Sequence, residues 1–214
     1  AGAMLKALMG DINPSGKLAE SYPVKYEDVP SAPYFPAKQR SAEYREGLYV
    51  GYRCYETANI PVLFPFGFGL SYTTFQYSDL KATDKEATFT ITNTGEVDGA
   101  EVAQLYVGKA DAQVFRPAKE LKGFQKVFLR AGERRTVTIP LDDKAFRYFN
   151  VKTNRFEVEG GEYQVMIGAS AADIRLTGAV SAAGTGAENP YDAAELSDYY
   201  SGRVGAVSDR QFEA

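Results

Sequence analysis

Residues 86–93 read Glu-Ala-Thr-Phe-Thr-Ile-Thr-Asn, so that Ala87, Phe89 and Ile91 share one face and Thr88, Thr90 and Thr92 the other. A period of two is that of a strand with one buried side. Working outward, the pattern returns in Ala103, Leu105 and Val107, in Val137, Ile139 and Leu141, and in Tyr163, Val165 and Ile167. The connections Asn93-Thr94-Gly95, Asp98-Gly99, Ala131-Gly132-Glu133 and Gly160-Gly161 carry residues that reverse the chain cheaply. About seven or eight short strands over residues 73–180 predict an antiparallel sandwich.

The predicted fold is mainly β, an immunoglobulin- or fibronectin type III-like sandwich over 73–181. Outside that span the alternation stops. Between Asp11 and Tyr72 the chain is broken by Asn13-Pro14, Pro23, Pro30, Pro33, Pro36, Pro61 and Pro65, which predicts mostly irregular backbone. The stretch from Tyr44 to Tyr55, β-rich from Tyr49 onward but of mixed periodicity, fits a helix or a strand, and the Pro- and Gly-rich passage from Pro61 to Gly69 reads as rigid and extended. Met4, Leu5, Leu8 and Met9 recur at helical spacing before Gly10. Residues 182–214 read as a small-residue linker to Glu188, then a tail whose Tyr191, Tyr199, Tyr200 and Phe212 pack on a surface outside the sandwich. Ser208 and Gln211 have the spacing of a capping box, with three residues after it. These ends predict a piece of a larger polypeptide, with residues 1–72 exposing apolar surface.

Composition limits the chemistry. Of 214 residues 44% are apolar, enough for a core, and the net charge of -4 provides no basic stripe for nucleic acid or an anionic membrane. The chain has no histidine, which excludes imidazole general bases, Ser-His-Asp systems and His-ligated metals built from this chain alone. The single cysteine, Cys54, cannot form an internal disulfide and reads as a core residue. No apolar run approaches the roughly 20 residues of a membrane helix, and nothing resembles an export signal, which favours a cytoplasmic location over secretion. No cofactor and no metal are expected.

A glycosidase needs two carboxyl groups flanking one bond. Glu43, Glu46, Glu56, Asp142 and Asp143 are the candidates, and none has a neighbour that suggests a tuned pair. Asp142 and Asp143 would point to opposite faces of a continuing strand. Gly67-Phe68-Gly69 lacks the context of a phosphate loop and reads as backbone packed closely under aromatics. Arg116-Pro117-Ala118-Lys119-Glu120 fits either a binding loop or a charged crossover held by a salt bridge. The tyrosines and phenylalanines offer surfaces for sugar rings, or core.

Three stretches together resemble the C-terminal part of family 3 glycoside hydrolases, the β-glucosidase family. They are Gly10-Asp11-Ile12-Asn13-Pro14-Ser15-Gly16-Lys17-Leu18; Glu46-Gly47-Leu48-Tyr49-Val50-Gly51-Tyr52-Arg53 with Pro65-Phe66-Gly67-Phe68-Gly69-Leu70-Ser71-Tyr72-Thr73; and Arg116-Pro117, Lys119-Glu120-Leu121-Lys122-Gly123-Phe124, Leu129, Gly132-Glu133 and Gly161-Glu162-Tyr163. The first is similar to the end of that family's α/β-sandwich domain and the third to its fibronectin type III-like domain. The tail from Asn189 is similar to an extension in a bacterial subset.

The resemblance implies a domain remnant over 1–72, the fibronectin-like sandwich over 73–181, and a linker with part of an extension over 182–214. It implies two-step retaining hydrolysis of terminal β-glycosidic bonds by the whole enzyme, without a cofactor. The nucleophilic aspartate would sit in a TIM-like barrel and the acid/base glutamate upstream in the α/β-sandwich domain. No catalytic residue is therefore expected in this chain, which alone should be inactive, and Glu46 is not given the acid's role. Positions matching Arg53 and Phe64 lie near an active-site mouth in some dimeric members. Arg53 is thus a candidate to bond sugar hydroxyls and Phe64 to stack on a ring, against burial between domains. The expected partners are the remaining barrel and α/β-sandwich portion, a β-glucoside or oligosaccharide, and a second copy in a homodimer. A freestanding carbohydrate-binding or protein-interaction module is the alternative.

Overall fold

A computed structural model describes residues 2–37 and 40–214. In chain order its elements are α1 (Gly2–Met9), β1 (Tyr22–Pro23), α2 (Tyr52–Ala58), β2 (Val62–Phe64), β3 (Phe75–Ala82), β4 (Glu86–Asn93), β5 (Gly99–Gly108), β6 (Glu120–Leu129), β7 (Arg134–Pro140), β8 (Arg147–Asn150), β9 (Arg155–Val158), β10 (Gly161–Gly168), β11 (Ile174–Ala182), α3 (Ser197–Ser201) and α4 (Asp209–Glu213). One sheet has the order β11-β10-β5-β6 and the other β3-β4-β7, with antiparallel pairing throughout. Four and three strands make the seven of the sandwich, and β8 and β9 form a separate hairpin.

The alternating residues meet between these sheets. Phe89, Ile91, Leu105, Tyr163, Val165 and Ile167 are fully shielded from solvent, with Ala87, Ala103, Val107, Val137, Ile139 and Leu141 around them. Each large side chain so buried is worth about 1.5–3 kcal/mol relative to exposure. Register follows from this, because slipping β4 by one residue would turn its threonines into the core. The turn residue Asn93 is itself buried and uses its whole amide. Its oxygen accepts from Thr73 Oγ1 and Gly95 N, and its nitrogen donates to Val97 O and Leu129 O.

Outside the sandwich, the ambiguous stretch resolves as a helix that starts only at Tyr52. A turn over residues 45–48 and Gly51 at φ 59° precede α2, and Asn59, left-handed at φ 54°, ends it. The Pro61–Gly69 passage is extended only over β2, which pairs with the two-residue β1; the expected continuation is corrected, because the Phe68 N–H donates to Pro65 O and Gly67 takes φ 80° to close a turn. The strand that would have carried Asp142 and Asp143 ends at Pro140. Asp142 instead accepts the Lys144 N–H in a turn, and Asp143 pairs with Arg147.

The tail does not leave the molecule. Val204 and Val207 bury themselves against Tyr49 and Cys54, while Tyr191, Tyr199 and Tyr200 surround Phe115 in the crossover between β5 and β6. The tail docks mainly outside the sandwich, on Tyr34, Arg45, Tyr49 and Cys54, and also reaches Phe115 of a sandwich loop, so that it covers the joint between α2 and that loop. Ser208 caps α4 by accepting from the Gln211 N–H. Met4, Leu5, Leu8 and Met9 on α1 stay exposed, as do Ile12, Leu63 and Leu70. No helix among the described residues is long and apolar enough to cross a membrane.

Candidate functional site

Part of the recognised sequence, α2 and the loop 116–120, meets where α2 packs on the crossover 109–119. Tyr52 stacks on Phe66 at 4.7 Å between centroids, presents its edge to Tyr106 at 6.0 Å, and accepts the Leu121 N–H at 2.8 Å. Thr57 Oγ1 accepts the Ala118 N–H, and Glu56 pairs with Lys119 at 3.0 Å. Lys119 also donates to Ala171 O. Of the two readings of residues 116–120, these contacts support the charged crossover.

Pro65 to Gly69 closes over the outer face of the four-stranded sheet. Gln104 donates to Gly67 O and Ala169 O, and its oxygen accepts from Tyr106 Oη. Gly67 has φ 80°, and a Cβ there would run into the Gln104 amide. The glycines therefore serve close backbone approach, as expected.

Arg53 and Phe64 are not brought into one pocket. Arg53 is half-buried, 3.8 Å from Glu120, and its Nε has no hydrogen-bond partner among the described residues. It lines a cavity of about 400 Å³ together with Glu46, Tyr49, Tyr52 and Tyr55. Phe64, 44% exposed on β2, stands between Tyr22 and Phe68 at 6.2 and 5.1 Å. Each is accessible to a molecule laid over this side of the chain.

Four of the five candidate carboxylates are held by different partners. Glu43 pairs with Arg45 at 2.6 Å, Glu56 with Lys119, and Asp142 and Asp143 lie in the turn after β7. Glu46 is buried and its Oε2 has no hydrogen-bond partner among the described residues. That set contains no cluster of three or more His, Cys, Asp or Glu that could hold a metal. Cys54 is sealed under the tail, and burial, with Glu46 nearby, pushes its thiol up to about 11, away from nucleophilic chemistry.

Two features were at most partly visible in the sequence. One is a groove of about 620 Å³ beside the β8–β9 hairpin, where Arg116, Pro117 and Glu120 of the loop 116–120 face Tyr148, Phe149 and Phe156. The other is the cage around Arg45. Its guanidinium lies over Tyr34 and Phe212 at 4.8 and 4.9 Å, pairs with Glu43 and Asp209, and donates to Val207 O. Both assemble residues far apart in the chain, which no local pattern reveals.

Comparison with known proteins agrees with the geometry. Residues 101–171 match the fibronectin type III-like domain family. The chain is 48% identical over 183 residues to thermostable β-glucosidase B of Acetivibrio thermocellus, covering 82% of this chain and 24% of that protein. It is 44% identical over 193 residues to an exo-α-(1→6)-L-arabinopyranosidase of Bifidobacterium breve, covering 88% and 26%. The crystal structure of a GH3 β-glucosidase from Bifidobacterium adolescentis superposes with a TM-score of 0.83 at 40% identity, over 96% of this chain and 32% of that one. The chain thus spans about a quarter of the length of the curated relatives it matches.

Proposed function

We propose, from the kinship of this chain to the C-terminal part of family 3 β-glucosidases, that it is a structural portion of a retaining glycoside hydrolase acting on terminal β-glycosidic bonds. In this reading residues 1–72 complete the α/β-sandwich domain, 73–181 form the fibronectin-like support, and 182–214 belong to an extension that braces the two. The nucleophile and the acid/base belong to polypeptide outside these residues, and the chain alone is inactive. One observation carries this: Glu43, Glu56, Asp142 and Asp143 are each tied to their own partner, and Glu46, the fifth candidate, lines its cavity with Glu20 and with none of the other four. A retaining mechanism needs two carboxyl groups about 5 Å apart across the bond. Arg53 and Phe64 contribute to sugar binding at the mouth of the active site, of this copy or of a second in a homodimer. The arabinopyranosidase among the relatives leaves the preferred sugar to be measured.

The test is hydrolysis of a chromogenic β-glucoside by a sample whose intact mass has been checked. A single 23.4 kDa species without activity, and activity once the remaining polypeptide is supplied, are expected. Turnover by the 23.4 kDa chain alone overturns the reading.

A second reading rests on the outer face of β6, where Phe124 and Phe128 are 65% and 54% exposed. Two aromatic faces on one strand suit a freestanding carbohydrate-binding module. Binding of a gluco-oligosaccharide by residues 73–181, lost in Phe124→Ala, would favour it over the first.

A further inference from the structure

Glu46 is 9% exposed, yet its Oε2 is sealed without a hydrogen-bond partner among the described residues. Three other carboxylates of this region have cations within the chain: Glu43 has Arg45, Glu56 has Lys119, and Glu120 has Lys122 and Arg53. A buried carboxylate left unpaired is costly, so its place calls for a cation that arrives from elsewhere. Glu46 lines the 400 Å³ cavity whose walls include Tyr49, Tyr52, Tyr55, Phe66 and a second acid, Glu20. Arg53, also on this wall and 3.8 Å from Glu120, is one cation against the two acids, which leaves the cavity with surplus negative charge. Along the chain Glu46 is flanked by apolar side chains turned to solvent: Tyr44, Leu48 and Val50 are 75%, 49% and 58% exposed.

We infer that this cavity receives one arginine side chain from polypeptide that packs over residues 44–50. Two arguments select arginine. A planar guanidinium slides along ring faces and pairs with a carboxylate at once, which an ammonium does less well. The chain already builds such a receptor one residue away, where Arg45 lies between Tyr34 and Phe212 and pairs with Glu43 and Asp209. The apolar rim selects the source. A free amine has no use for exposed Tyr44, Leu48 and Val50, whereas a protein surface covers them and shields the pair from water. The chain matches only about a quarter of its relatives' length, so such proteins hold further polypeptide able to provide that surface.

The test titrates the 214-residue chain with N-acetyl-arginine methylamide, following the backbone amide resonances of Tyr49 and Gly51. N-acetyl-citrulline methylamide is the uncharged isostere, an N-acetyl-Leu-Arg-Val amide adds the rim contacts, and methyl β-glucoside controls for sugar binding. Arginine should shift both resonances, with citrulline and Glu46→Gln each weakening binding about tenfold or more, as expected for a charge-assisted bond. The tripeptide should bind several-fold tighter than arginine alone. Glu46→Gln should melt at or above the temperature of the parent chain, because it removes an unpaired buried charge. Equal binding of citrulline, indifference to Glu46→Gln, or occupation by the glucoside instead overturns the inference. So does a lower melting temperature of Glu46→Gln, which would mean that the carboxylate already has a partner within the chain. A tripeptide no tighter than arginine overturns the polypeptide source.

Discussion

The side-chain nitrogen of Gln104 lies 3.2 Å from the carbonyl oxygen of Gly67, which ties the Pro65–Gly69 passage to the sheet beneath it. Gly67 has φ 80°, and a Cβ at that position would run into the Gln104 amide. Gly67→Ala should therefore cost about 2–3 kcal/mol, combining left-handed strain with loss of the anchor. Gly132 is the control, with a similar φ of 74° and open space around it. Gly132→Ala should cost only about 1 kcal/mol. Urea unfolding of the two variants checks the difference, and equal losses would remove the role given to the Gln104 contact.

Tyr49, Tyr77 and Tyr106 all have hydroxyls pushed well above the ordinary tyrosine value of 10.0, in each case chiefly by burial. Next come nearby Cys54 for Tyr49, Glu101 for Tyr77 and Tyr52 for Tyr106. A phenol with a raised folded pKa stabilises the fold fully below its unfolded pKa, and that stability is lost as pH rises above about 10. Ultraviolet titration of the phenolates should show exposed tyrosines ionising first and these three only together with unfolding. A smooth titration of all 15 tyrosines near pH 10 with the circular dichroism intact would contradict this burial.

How much of this was legible in the sequence depends on how far apart the interacting residues lie. Ala87-Phe89-Ile91 and its counterparts displayed the sandwich because a strand with one wet face writes its burial into alternate residues. Gly67 and Gly69 displayed close approach because few other residues permit it. The type of the stretch from Tyr44 to Tyr55 was not legible, since it is decided at Gly51 by the packing of Tyr52 against Phe66 and Tyr106. The destination of the tail was equally hidden. Tyr199 donates to Arg45 O and Cys54 lies beneath Val204, contacts of about 150 residues' separation that carry no local pattern. Arg53 and Phe64 were proposed from resemblance alone, and the cavity that Arg53 lines does not include Phe64, which stands between Tyr22 and Phe68.

The lid over Cys54 can be removed. Val204 and Val207 are buried against Tyr49 and Cys54, whose thiol is held near 11 mainly by desolvation. At pH 8 its thiolate fraction should be on the order of 10⁻³, and iodoacetamide should label the intact chain only on unfolding. Ending the chain at Glu188 removes both valines. The thiol then moves toward its usual range near 8.5, and labelling should accelerate by roughly 100-fold or more. Mass spectrometry over time checks this. Continued protection of the shortened chain would mean that α2 and its neighbours, not the tail, cover the cysteine.

The proposed sugar contacts at Arg53 and Phe64 make a claim that packing alone does not. Arg53 is held only loosely by Glu120, at 3.8 Å, and Phe64 remains 44% exposed beside Tyr22 and Phe68. Removing either side chain should disturb the fold little. In enzyme reassembled from this chain and the remaining polypeptide, Arg53→Ala should raise KM for a disaccharide about tenfold, the value of one or two hydrogen bonds from a charged group. The rate constant kcat should change less than about twofold, because uniform binding is lost and no transition-state contact is removed. Phe64→Ala should act the same way by about three- to tenfold, the worth of one stacked ring. An aryl glucoside whose leaving group bypasses this mouth should show smaller changes. If both variants leave KM unaltered for every substrate but melt several degrees lower, the two residues pack between domains and the assignment of sugar contacts fails.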